Sequence, residues 1–127
     1  MNIMAKKVET EMEPEELKLR CGTKDWYGIY QISDGSPARD CLFMNLKYTR
    51  QCGCPVNRRN YKLVCSAPLM EEEDLNTLYM KFNIARPEDF RGHSLSVSDI
   101  VVLNRNGVVK AYFVDSIGFQ EITDFYD

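Results

Sequence analysis

The chain is poor in the groups from which enzyme and metal sites are usually built. It has one histidine, His93, in 127 residues. Its closest cysteines, Cys52 and Cys54, have a single residue between them, whereas structural zinc sites set paired cysteines two to four residues apart and recruit four ligands. No apolar run approaches the ~20 residues of a membrane span, and Met1–Thr10 lacks the apolar stretch of a secretory signal. No G-x-S-x-G elbow, internal repeat or low-complexity stretch occurs. Together these absences exclude a membrane protein, a secreted mini-scaffold and a disordered tail, and they lead us to expect no metal and no cofactor.

What is present is ordinary globular material. The length suits one domain, and 44% hydrophobic with 28% charged residues is a typical balance. The net charge of −3 is unevenly placed, with −2 over residues 1–38, +5 over residues 39–62 and −6 over residues 71–127. The basic segment carries Arg39, Lys47, Arg50, Arg58, Arg59 and Lys62. It can pair with the protein's own acidic parts or meet an acidic partner, nucleic acid included, through counterion release. The five cysteines, Cys21, Cys41, Cys52, Cys54 and Cys65, are an odd number without an export signal, which predicts reduced thiols in a cytoplasm. Cys41 and Cys65 then serve as small apolar side chains within strands.

Residues 1–25 read as an acidic extension, partly disordered or a short helix. Glu9, Glu11, Glu13, Glu15 and Glu16 crowd it, with few large apolar residues to offset the entropy of ordering. Pro14 suits the opening of a helix through Leu17 and Leu19, and Gly22 its close, over no more than two turns. The single domain is then 26–127. Tyr27–Ile32, Cys41–Leu46, Tyr61–Cys65, Asp99–Leu103 and Val108–Asp115 are strand candidates, although Leu42, Met44 and Leu46 fit a helical period as well. Asn104-Arg105-Asn106-Gly107 has hairpin-turn chemistry. The best helix is about 72–84, where Leu75, Leu78, Tyr79 and Phe82 share one face and Glu71, Glu72, Glu73 and Asp74 occupy the first turn. This predicts an α+β fold: a small, mostly antiparallel sheet or partly open barrel of about five strands packed on one main helix.

The densest polar segment runs from Asp89 to Asp99. A hydrolase would use Ser94 or Ser96 as nucleophile, His93 as base and Asp99 or Asp115 to orient it. Against this, the side chains of adjacent residues such as His93 and Ser94 generally point apart. The plainer expectation is a tight turn in which Gly92 permits the bend, His93 bonds local backbone, and Ser98 and Asp99 satisfy open amides.

From Ile29-Tyr30-Gln31-Ile32 onward, the chain resembles the YodL-like domain family. The supporting stretches are Asn60–Val64, Phe82–Ile84, Pro87–Phe90, Gly92–Val101 and Ala111–Phe119. The resemblance covers about Trp26 to Asp127. It implies a compact bacterial domain, often carried on conjugative elements and phages of Firmicutes, and brings no catalytic residues with it. Leu95–Leu103 is also similar to the L-x-x-G-D-x-V opening of PUA-like barrels, with Ser98 standing where those domains have glycine.

The expected function is a non-enzymatic protein-interaction module of a mobile element, cytoplasmic, binding a host or element protein. Asp89, Phe90, Arg91, His93, Ser94, Ser96 and Asp99, with neighbouring exposed aromatics, are the candidate contact residues. A counter-defence form would use Glu71–Asp74 and the acidic residues 9–16 to imitate nucleic-acid phosphate. The alternatives are a nucleic-acid binder using the basic segment and a small hydrolase centred on His93.

Overall fold

The computed structural model describes residues 12–85, 90 and 92–127. Asp89 and Arg91, two of the candidate contact residues, lie outside the described residues. Five strands form one open antiparallel sheet in the order β2-β1-β3-β4-β5. They are β1 (Trp26–Ile32), β2 (Tyr61–Pro68), β3 (Ile100–Arg105), β4 (Val108–Val114) and β5 (Phe119–Ile122). The α+β arrangement is as expected, and of the two forms open to it the sheet takes the open one. The two-residue loop Asn106-Gly107 joins β3 to β4 with φ of 55° and 82°. Both values lie in the left-handed region that a two-residue hairpin loop requires to match the right-handed twist of its strands.

The interior strand β1 is buried on both faces from Tyr27 to Ile32, because each face has its own cover. On one side Tyr27, Ile29 and Val101 pack against Leu78 and Phe82 of α3 (Leu75–Ile84), together with Leu95. On the other side Tyr30, Ile32, Val102 and Phe113 meet Phe125 and Leu19 of α1 (Pro14–Cys21). Thus α1 has the short length and the Pro14 start that the sequence predicts, and it is built into the core. Its Leu19 methyl lies 2.4 Å from where a β-carbon on Gly28 would stand, so only glycine lets helix and strand approach this closely. Asn104 of β3 donates both amide hydrogens to carbonyls at the end of α1, Leu19 O and Gly22 O, each at 3.0 Å. That satisfies helix-end acceptors that have no intrahelical partner.

Three expectations need correction. Cys41–Leu46 is not a strand. A 3₁₀ turn (Pro37–Cys41) leads instead to the short helix α2 (Leu46–Gln51), which Asn45 caps by accepting from the Tyr48 amide at 2.8 Å. The period-2 spacing of Leu42, Met44 and Leu46 does not reflect a strand face, because Leu42 and Leu46 pack on the core while Met44 is exposed. Next, α3 starts at Leu75, not 72. Asp74 caps it in a reciprocal box with Thr77, and Glu71–Glu73 form the preceding turn. Finally, the thiols are not all reduced, because Cys41 and Cys54 are joined in a disulfide. No helix among the described residues is long and apolar enough to cross a membrane.

Candidate interaction surface

Strand register assembles the polar centre of the molecule. Tyr30 of β1 is paired with Ile100 of β3, so Gln31 falls opposite Asp99 at the next step. Gln31 projects to the α3 side, where the segment before β3 passes over it. Its Oε1 accepts the His93 amide at 3.2 Å. Its Nε2 donates to the His93 carbonyl at 2.8 Å and to Asp99 Oδ2 at 3.0 Å. One side-chain amide thereby takes the place of a neighbouring strand's peptide for His93. The fit leaves no room at Gly92, where a β-carbon would stand 2.0 Å from Gln31 Oε1.

Asp99 is wholly buried. Its Oδ2 also accepts the Ser96 amide at 2.8 Å. Its Oδ1 has no hydrogen-bond partner and lies 3.8 Å from His93 Nε2, which has none either. Burial raises the Asp99 carboxyl well above the ordinary carboxylate range, outweighing the Ser96 and Gln31 bonds that favour the anion. The His93 tautomer follows from its other nitrogen. Nδ1 lies 2.7 Å from the Ser94 carbonyl oxygen, which only accepts, so Nδ1 carries the hydrogen. The 3.1 Å approach of Gln31 Nε2 to the same Nδ1 is therefore between two donors and makes no bond. Nε2 faces Oδ1 of the Asp99 carboxyl, whose protonated form is the one that burial favours.

The side-chain bonds of this segment are mostly local. Ser96 Oγ donates to the Ser94 carbonyl at 2.7 Å, away from the imidazole. Asp115 accepts the Leu46 and Ser116 amides at 3.2 and 2.9 Å, so it orients a loop and not His93. Neither the cleft of about 280 Å³ beside Glu16 and Arg58 nor the one of about 250 Å³ beside Tyr79 and Phe119 is lined by His93, Ser94 or Ser96. Phe90 packs on Phe82, with ring centroids 5.0 Å apart, and belongs to the core's edge.

What the polar centre does present to solvent is a loop that sequence reasoning did not single out. Ser98 has φ of 85° and Phe43 has φ of 69°, both in the left-handed region that side chains with a β-carbon rarely enter. The two are bonded to each other: Ser98 Oγ accepts the Phe43 amide at 3.0 Å. Ser98 adopts this backbone while supplying an acceptor. Three residues on, Asp115 holds the Leu46 amide. Between these two clamps Phe43 is 53% exposed and Met44 40% exposed, and the Phe43 ring stands edge-on to His93 at 5.3 Å. The only hint in the sequence was Ser98 replacing glycine, since nothing local marks Phe43 as exposed.

The charged candidates are scattered in role. Arg39 pairs with Asp34 at 3.3 Å, and Arg58 pairs with the buried Glu16, which also accepts from the Tyr30 hydroxyl at 2.6 Å. Burial pulls the Arg58 guanidinium down more than any one neighbour lifts it, but the Glu16 bond and charge together with Tyr30 and Tyr126 outweigh it and the net shift is upward. Lys47, Arg50, Arg59 and Lys62 are exposed. Of the acidic run, Asp74 caps α3, and Glu73 accepts the Met70 amide at 2.8 Å and meets Lys81 at 3.7 Å. Glu71 and Glu72 face solvent. Among the described residues, no group of acidic, histidine and cysteine side chains is arranged to hold a metal.

The model of one family, described as YodL-like domain, matches residues 26–125. No curated protein and no solved structure matches the chain.

Proposed function

The chain belongs to the YodL-like domain family, and on that premise we propose that it is a non-enzymatic protein-interaction module that docks through Phe43 and Met44. The observation that carries this is the pair of left-handed residues Phe43 and Ser98, bonded to each other beneath an exposed aromatic ring. Holding a non-glycine residue there costs on the order of 1–3 kcal/mol, and strain of this kind gathers where a surface has a task. A half-exposed Phe beside Met is the sort of rigid apolar anchor that fills a pocket in a partner. The partner is therefore a protein with an apolar pocket, and the family resemblance favours one from the host or the element that carries the gene.

His93, Ser94, Ser96 and Asp99 act in this reading as the brace under the loop, while Phe43 makes the contact. A counter-defence version, with carboxylates in place of phosphates, rests on Glu71 and Glu72, because Glu73 and Asp74 are engaged within the fold. The decisive experiment is affinity capture with mass spectrometry, comparing the wild-type chain with Phe43→Ala in a native-like host. We expect a partner recovered by the wild type and lost, by about tenfold or more, with the variant. Identical recoveries would remove Phe43 as the docking point.

A further inference from the structure

Three cysteines meet around α2, and their burial is graded. Cys41 is 2% exposed and bonded to Cys54, which is partly buried. Cys52, at the end of α2, is exposed and outside the disulfide. Between Cys52 and Cys54, Gly53 has φ of 70° and nothing within 4 Å of where a β-carbon would stand, so the intervening link is free to bend. The bond itself spans 13 residues and closes the segment that carries Phe43.

We infer that Cys52, Cys54 and Cys41 form a thiol–disulfide relay, in which Cys52 receives oxidation from a small-molecule disulfide and passes it inward to the Cys41–Cys54 bond. Starting from the fully reduced chain, the Cys52 thiolate attacks one sulfur of the small disulfide. A mixed disulfide forms on Cys52 and one small thiol leaves. Cys54 then attacks Cys52 Sγ, making Cys52–Cys54 and releasing the second small thiol. Last, Cys41 attacks Cys54 Sγ, making Cys41–Cys54 and returning Cys52 as a thiol. Two protein thiols are oxidised and one disulfide is reduced to two thiols, so electrons and protons balance. Access sets the direction, since exchange needs an approachable sulfur at each attack. Cys52 is open to solvent, whereas the final bond is anchored on a buried sulfur that external thiols reach poorly.

The relay goes beyond the docking proposal and stands whether or not Phe43 binds anything. Its test uses the full chain, fully reduced and then mixed with glutathione disulfide. Samples are quenched with acid, alkylated and mapped by mass spectrometry over time. Among the three cysteines of the relay we expect a glutathione adduct first on Cys52, then Cys52–Cys54, and finally Cys41–Cys54; the exposed Cys21 lies outside the relay and its own adduct is followed separately. Cys52→Ser, an exposed and conservative change, should reach the same final bond about tenfold more slowly, because it loses the high effective concentration of a neighbouring thiol. Cys41→Ser should stop at Cys52–Cys54. Closure of Cys52→Ser at the wild-type rate, or an adduct on Cys41 or Cys54 that precedes the one on Cys52, would overturn the relay.

Discussion

Asp99 is the residue on which the polar centre turns, and its protonation gives the centre a pH signature. Burial raises its folded pKa above the unfolded value of about 3.9. Between those two values the folded chain keeps a proton that the unfolded chain releases. Stability therefore falls as pH rises through that window, by up to about 1.4 kcal/mol per pH unit, and levels off above the folded value. Asp99→Asn should remove the decline. Its carbonyl oxygen replaces Oδ2 as acceptor for Ser96 and Gln31, and its amide faces the Nε2 acceptor of His93, so both orphaned atoms gain a partner. We expect the variant to match or exceed wild type at neutral pH, with a flat profile in urea unfolding from about pH 4 to about pH 8. A variant as pH-sensitive as the wild type would show that the proton sits elsewhere.

At the scale of elements, α3 separates carboxylates that fold the chain from carboxylates that face outward. Asp74→Ala breaks a capping box and should cost about 1 kcal/mol in denaturant unfolding. Glu71→Gln and Glu72→Gln, at exposed positions before the helix, should leave stability within about 0.5 kcal/mol. Equal effects would mean that the helix start is not where the cap geometry puts it. This helix was largely legible, because Leu75, Leu78, Tyr79 and Phe82 repeat at helical spacing, and so was the hairpin, because Asn106-Gly107 has few other uses. The 41–46 segment was not, since Leu42 and Leu46 pack on the core while Phe43 and Met44 are held out by bonds to Ser98 and Asp115 that are 55 and 69 residues distant. Such long-range clamps leave no local pattern. The same holds for Gln31, which reads as an interruption in an apolar strand and is in fact the support of His93, and for Cys41, whose partner is set by the path of α2.

Across the whole molecule, the sheet has two apolar faces, one covered from the middle of the chain and the other from both its ends. The α3 side is covered from within residues 64–119, but the other side depends on α1 and the C-terminal Phe125 and Tyr126. The family match begins at residue 26, after α1, although Leu19 of that helix is wholly buried. Removing α1 would uncover Gly28, strip Asn104 of both its acceptors, and leave Arg58 and Tyr30 without Glu16. Truncating Leu19 alone to alanine should cost about 2–5 kcal/mol, a large share of the roughly 5–15 kcal/mol that domains possess. Deleting residues 1–25 removes that burial together with the polar partners, so we expect a chain that keeps helical and strand signal but unfolds without a sharp transition. Near-UV circular dichroism and a urea titration would decide it. A deletion variant with the wild-type transition and slope would mean that the acidic segment is an appendage after all, and that residues 26–127 close both faces unaided.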